Sequence, residues 1–324
     1  MITIAGFNSS IDRVMRTPHV LPGVVARVTD VHAGPGGKGL HAALTCAGLG
    51  ARVRLVGVID ALNRRRFEDV LGAAGVEFCG VPVRDEIRTC IAVRDDEGGV
   101  TELLEPGPVV DAATSEWLVR EVLDGASGGP VVLSGSLPRG MAPTTYRDMV
   151  ATLKAQASAC LVDTSGELLR LALTAGPDVV SPNRHEAEAV TGVRIVDTIS
   201  AETAARRLVE AGAVRAVISL GPDGIVAGER GRACVARAPA RRDAHTLGAG
   251  DSLVGAMAVA IERGLDVEQT LRLAVACATA SVADANPGVV PLDEMARLGP
   301  HVRFEWLPVD DDRADTSLVE RTPE

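Results

Sequence analysis

Apolar residues along this chain fall into two alternating kinds of segment. Short runs that end in Gly, Ser, Asn or Asp predict strands. Residues 2–8 alternate, 24–33 alternate in part, 52–58 mix arginine with valine and leucine, and further apolar runs start at Val131, Cys160, Val179 and Val214. Helical spacing without breakers predicts helices over 41–47, 63–74 and 267–283, and another that starts at Asp251. Strand then helix, repeated, is the rhythm of an α/β protein. The rhythm breaks where strands at 87–93 and 100–104 flank the turn Asp95-Asp96-Glu97-Gly98-Gly99. Such a hairpin predicts a small sheet set apart from the main one, and with the strand at 24–33 it would form a lid over a site. A second hairpin is expected over 224–244.

Composition narrows the picture. The chain has 324 residues, of which 46% are hydrophobic, enough for a large buried core. No apolar run reaches the roughly 18 residues of a membrane span, and the first residues lack the basic and apolar regions of a signal peptide, so a cytoplasmic protein without a membrane partner is expected. A formal net charge of −10 argues against nucleic acid as a partner. Cys46, Cys79, Cys90, Cys160, Cys234 and Cys277 form no C-x-x-C pair, which argues against a zinc site or a disulfide framework. Residues 309–324 are charged and poor in apolar side chains and are expected to be a disordered tail. Lysine occurs only at Lys38 and Lys154, which draws attention to a lysine inside the cluster Gly34-Pro35-Gly36-Gly37-Lys38-Gly39.

One turn carries chemistry of its own. Gly248-Ala249-Gly250 precedes Asp251 and an apolar helical run. Free N–H groups at a helix start, aligned with the positive end of its dipole, can hold developing negative charge, and a carboxylate beside them can take a proton. That pair suits phosphoryl transfer to a hydroxyl. The same residues also suit a tight connection with Asp251 as a cap, and locally both readings stand.

Six motifs in a fixed order extend the reading. They are Gly36-Gly37-Lys38-Gly39, Gly135-Ser136-Leu137-Pro138-Arg139-Gly140, Asp163-Thr164-Ser165-Gly166-Glu167, Pro182-Asn183-Arg184-His185-Glu186, Ser219-Leu220-Gly221-Pro222-Asp223-Gly224 and Thr246-Leu247-Gly248-Ala249-Gly250-Asp251. Together they resemble the PfkB (ribokinase-like) carbohydrate kinases, most of all the 1-phosphofructokinase and tagatose-6-phosphate kinase branch. The resemblance implies a three-layer α/β/α fold over 1–308, with a mostly parallel central sheet and lid strands from about 12–33 and 86–104. It implies transfer of the γ-phosphoryl of ATP to a hydroxyl of a sugar phosphate with Mg²⁺, and a possible homodimer through the lid. Carried over residue by residue, Asp251 matches the general base, and Gly248, Ala249 and Gly250 match the anion hole. Asn183 and Glu186 match the element that holds magnesium through water, and Asn183, Ser219, Gly221, Gly224 and Thr246 fall on the nucleotide side. Asp12, Gly36, Gly37, Lys38 and His41 match the sugar site, Arg88 matches the lid arginine that binds the acceptor's existing phosphate, and Ser136 is placed to contact it too.

Two of the departures from the family pattern lie on the acceptor side, and a third, at Ser181, removes a cation near the ATP phosphates. His41 replaces an asparagine, Cys90 stands where the lid strand often has asparagine, and Ser181 replaces a lysine before Pro-Asn. Imidazole offers one donor and one acceptor when neutral and charges near a pH of about 6.5, so acceptor recognition changes with it. Three other readings remain open. The acceptor is an unphosphorylated sugar, a nucleoside or a specialised-metabolism sugar derivative; the chain is a noncatalytic binding or regulatory homologue; or Gly34-Pro35-Gly36-Gly37-Lys38-Gly39 with Asp60 is a nicotinamide-binding G-x-G-x-x-G fingerprint.

Overall fold

The computed structural model describes residues 1–308 apart from 127, 240–246 and 284–285. In chain order its strands are β1 (Ile2–Ala5), β2 (Ser10–Thr17), β3 (Asp30–Gly36), β4 (Val53–Ile59), β5 (Glu77–Pro82), β6 (Arg88–Asp95), β7 (Val100–Leu104), β8 (Val131–Ser134), β9 (Cys160–Asp163), β10 (Val179–Val180), β11 (Arg215–Ser219), β12 (Ile225–Glu229), β13 (Arg232–Arg237) and β14 (Arg303–Trp306). Ten of them form one sheet in the order β14-β13-β12-β11-β10-β9-β8-β1-β4-β5. From β11 to β5 every neighbour is parallel, and β12 to β14 add an antiparallel edge. The other four form the lid, in the order β3-β2-β6-β7.

Burial explains the sequence pattern. β1, β8 and β9 are buried at every position, as strands covered by helices on both faces must be. The alternation in β1 comes from Thr3, a buried position whose hydroxyl donates to the Gly125 carbonyl at 2.8 Å. The helices Lys38–Gly48, Ala249–Glu262 and Val267–Ser281 pack together on one face of the sheet, and Ala112–Gly125, Thr145–Ala155, Gly166–Leu173, Arg184–Thr191 and Thr198–Glu210 line the other. Within Ala249–Glu262, every residue from Ser252 to Ala260 is buried, so its apolar character all round reflects a position inside the molecule. Its Gly255 lies so close to the helix Lys38–Gly48 that an added Cβ would stand 2.7 Å from the Ala42 carbonyl oxygen. Among the described residues no helix is long and apolar enough to cross a membrane.

The structure revises several boundaries. Asp12 lies inside β2, a strand that its polar residues concealed, because both faces of the lid are only partly covered. The strand expected at 24–33 is β3, which begins at Asp30 and continues through the glycine cluster to Gly36. Val24, Val25 and Val28 are exposed, and pairing with β2 begins only at Arg16 opposite Asp30. The helix expected over 41–47 begins at Lys38, and the one expected at Asp251 begins at Ala249. The hairpin at 224–244 is formed by β12 and β13. Its last residues, Thr246 and the expected tail at 309–324 lie outside the described residues.

Candidate active site

The site lies along the carboxyl ends of β1, β8, β9, β10 and β11, roofed by the lid. At its centre the helix Lys38–Gly48 starts directly over the end of β1. An added Cβ on Gly39 would lie 2.4 Å from the Gly6 Cα, so two glycines permit this approach. The same cluster seats Asp12. A Cβ on Gly36 would collide with its carboxylate, at 2.0 Å from Cγ, and Gly37, with φ 105°, donates its N–H to Oδ2 at 3.3 Å. The Ser10 hydroxyl donates to Oδ1 at 2.6 Å. Gly36 and Gly37 therefore leave room for the Asp12 carboxylate and, at Gly37, bond to it.

Asp251 approaches from the opposite side, in the first turn of Ala249–Glu262. Gly248 precedes this helix in the left-handed region, φ 77°, packed so tightly that an added Cβ would lie 2.7 Å from the Pro287 Cβ. The N–H groups of Ala249, Gly250 and Asp251 have no intrahelical acceptor, as at any helix start. His41 stands between the two carboxylates. Its Nδ1 lies 2.9 Å from Asp251 Oδ2 and its Nε2 lies 3.3 Å from Asp12 Oδ2.

Lys38 forms a second charged centre. Its Nζ lies 3.2 Å from Asp163 Oδ1 and 3.5 Å from Glu186 Oε1. Asp163 is buried and also accepts from the Ser134 hydroxyl at 3.1 Å. Burial pushes the Asp163 carboxyl above the usual carboxylate range, with Lys38 pulling the other way. For Lys38, burial opposes the charge, but Asp163, Glu186 and Asp251 outweigh it and keep the ammonium protonated. Glu102 on β7 is also held above its ordinary value, first by lost hydration and then by the charges of Asp251 and Asp12.

Arg88 is fixed by donation from Nε to the Asn8 carbonyl at 3.2 Å and from Nη1 to the Glu105 carbonyl at 3.4 Å. Asn8 Nδ2 donates to Ser136 Oγ at 3.0 Å and to the Pro106 carbonyl at 3.3 Å, while its Oδ1 is buried without a partner. Asn8, Gly36, Gly37, Lys38, Arg88 and Ser136 line one cavity. Arg139 donates to the Gly107 carbonyl at 3.0 Å, and so braces the loop beside that cavity. Cys90 pairs in register with Asp12 across the lid.

At the carboxyl end of β10, Asn183 and Glu186 form a reciprocal capping box: Glu186 N–H donates to Asn183 Oδ1 and Asn183 N–H to Glu186 Oε2, each at 2.9 Å. The motif is thus a helix start, and it also aims Glu186 Oε1 at Lys38. Asn183 bridges in parallel to Ser219 at the end of β11. Gly221 and Gly224 have φ 63° and 86°, and a Cβ on Gly224 would lie 2.3 Å from the Ala236 carbonyl oxygen, so that glycine is required by the turn itself. Asp60 is committed to the N–H groups of Leu62, Asn63 and Ile87 at 2.7–2.9 Å, which gives it a structural role instead of the ribose contact of a nicotinamide site.

Asn8, Asp163 and Glu102 are site residues that sequence reasoning left out. Asp163 stands at the carboxyl end of a predicted parallel strand, where the position alone is a signal. Asn8 and Glu102 carry no comparable local mark.

Residues 3–294 match the family described as pfkB family carbohydrate kinase. The chain is 31% identical over 315 residues to the 1-phosphofructokinase of Rhodobacter capsulatus, covering 95% of this chain and 98% of that one. Among solved structures it is similar to phosphofructokinase-2 from Escherichia coli in complex with fructose-6-phosphate, with a TM-score of 0.82 at 27% identity, covering 93% of this chain and 98% of that one. The tetrameric inhibited form of the same Escherichia coli protein matches with a TM-score of 0.82 at 27% identity, over 92% and 98% of the two chains.

Proposed function

This chain belongs to the pfkB family of carbohydrate kinases, and we propose that within that family it moves the γ-phosphoryl of ATP onto a hydroxyl of a sugar that already carries a phosphate. The observation that carries the finer reading is the pairing of Arg88 and Ser136 in one cavity with Gly36, Gly37 and Lys38. A guanidinium held by two backbone carbonyls is ready for bidentate contact with a phosphate, and a serine hydroxyl beside it adds a further donor.

Asp251 takes the proton of the acceptor hydroxyl as the bond to phosphorus forms. The N–H groups at Ala249 and Gly250, together with Lys38, stabilise charge on the transferring group. Asp12 accepts from sugar hydroxyls. Asn183, Ser219 and the turn at Gly221 and Gly224 lie where the nucleotide enters, and Thr246 belongs with them by sequence. Glu186 and Asn183 have committed Oε2 and Oδ1 to capping, so this pair suits an ion held through its own waters, as Mg²⁺ commonly is. When bound, Mg²⁺ neutralises the charge of the triphosphate. Two copies of the chain associate through the lid, whose strand β7 is exposed along its whole length.

The test is a panel of phosphosugars, free sugars and nucleosides read by coupled ADP release. The expected outcome is turnover with a phosphosugar, lowered on the order of 10²–10⁴-fold by Asp251→Asn. Arg88→Ala is expected to raise the acceptor KM while leaving that for ATP unchanged. Turnover with free sugars or nucleosides alone, or an Arg88→Ala enzyme with unaltered acceptor kinetics, removes the phosphosugar reading. Equal rates for wild type and Asp251→Asn remove the base.

A further inference from the structure

We propose that His41 is a positioning residue, an imidazolium that ties the base Asp251 to the hydroxyl acceptor Asp12 and makes the activity depend on its own proton; this rests on the kinase reading of the site. The buried ring has a carboxylate oxygen at each nitrogen, Asp251 at 2.9 Å and Asp12 at 3.3 Å. A neutral imidazole has a single N–H, so one of the two carboxylates would face a lone pair. Only the cation gives an N–H to Asp251 at 2.9 Å while setting positive charge 3.3 Å from Asp12. With a carboxylate facing each nitrogen, His41 acts on the sugar through Asp251 and Asp12.

The backbone that carries the ring is fixed as well. Gly288, with φ 82°, packs against the His41 backbone so closely that an added Cβ would lie 2.6 Å from its carbonyl oxygen. Thr45, one turn along the helix, donates to the Gly288 carbonyl at 2.9 Å. The charged groups nearest the imidazole are Asp251 from the helix Ala249–Glu262 and Asp12 from β2. Lys38, one turn back on its own helix, acts on Asp251, and Glu102, on β7, acts on both carboxylates. Burial works against the imidazolium, but the hydrogen bond and charge of Asp251 and the charge of Asp12 outweigh it, so the ring is held above its ordinary value.

The sign follows directly. Below the pKa of His41, the cation separates two like charges and fixes one oxygen of Asp251, leaving the base aligned for the acceptor. As pH rises through that pKa, the proton is lost, Asp12 and Asp251 repel, and the alignment goes with it. An asparagine at this position does not titrate.

The experiment has two arms on the full chain. Imidazole resonances are followed by NMR against pH, with His41 assigned by the signal missing in His41→Asn. The expected pKa lies above about 6.5 and falls in Asp251→Asn. A His41 that titrates at or below that ordinary value, or is indifferent to Asp251→Asn, overturns the proposal. In the second arm kcat/KM is measured against pH. Wild type is expected to lose activity on the alkaline side at the pKa found by NMR, and His41→Asn, whatever its rate, to lack that limb. The same alkaline limb in His41→Asn overturns the proposal. The NMR arm needs no substrate, so a wrong acceptor assignment and a wrong role for His41 give different results.

Discussion

At the scale of single residues, the site is a balance of charge. Asp12, Asp251, Asp163 and Glu186 converge on Lys38 and His41. Removing one cation leaves carboxylates short of a counter-ion, and the cost is set by how far solvent can relieve them. Lys38 has 38% of its side chain exposed while Asp163 has 5%. Lys38→Met is therefore expected to destabilise the fold by about 1–3 kcal/mol, less than for a pair buried on both sides. Because burial already raises the Asp163 carboxyl, the penalty should shrink as pH falls and that group takes a proton. Thermal unfolding of wild type and variant at pH 8 and pH 5.5 checks this. An unchanged difference between the two pH values would mean that Asp163 is not the group left unpaired.

At the scale of elements, glycines decide how closely the helices approach the sheet. Gly39 faces Gly6 across the start of the helix Lys38–Gly48, with backbone rather than side-chain atoms in the way. Gly39→Ala cannot be relieved by a rotamer change, so it must lift the helix that carries Lys38 and His41. A loss of about 1–3 kcal/mol or more is expected, together with a fall in kcat/KM. Gly72, in the helix Arg64–Ala73, is the control, since a Cβ there meets nothing within 4 Å and Gly72→Ala should be neutral or slightly stabilising. Equal effects from the two substitutions, measured by denaturant unfolding, would refute the close approach. The lid also shows what local patterns miss. β2 reads as polar loop because a half-covered strand carries Asp12, Arg13 and Arg16, and only its pairing with β3 and β6 identifies it.

At the scale of the whole molecule, the lid presents apolar side chains to solvent, among them Val25 at 86% and Leu103 at 60% exposure. Surfaces of this kind are covered by partners more often than left bare. If two copies meet through the lid, Val25→Glu combined with Leu103→Glu should lower the mass seen in sedimentation and leave unfolding of the protomer nearly unchanged. Unaltered mass would place any interface elsewhere. The alternation of strands and helices, the hairpin of β6 and β7 and the glycine turn before Asp251 were legible along the chain, because each depends on neighbours a few residues apart. Contacts were not legible. His41 meets Asp251 across 210 positions and Lys38 meets Asp163 across 125. Whether His41 touches sugar or carboxylate, and whether Lys38 pairs with β9 or points to solvent, follows from strand order and helix packing, which no local periodicity encodes. The sequence by itself determined which chemical groups stand at the strand ends. Only the tertiary structure decided which of them share charge and protons, since those interactions fall off within a few ångströms and need the folded sheet to bring the partners together.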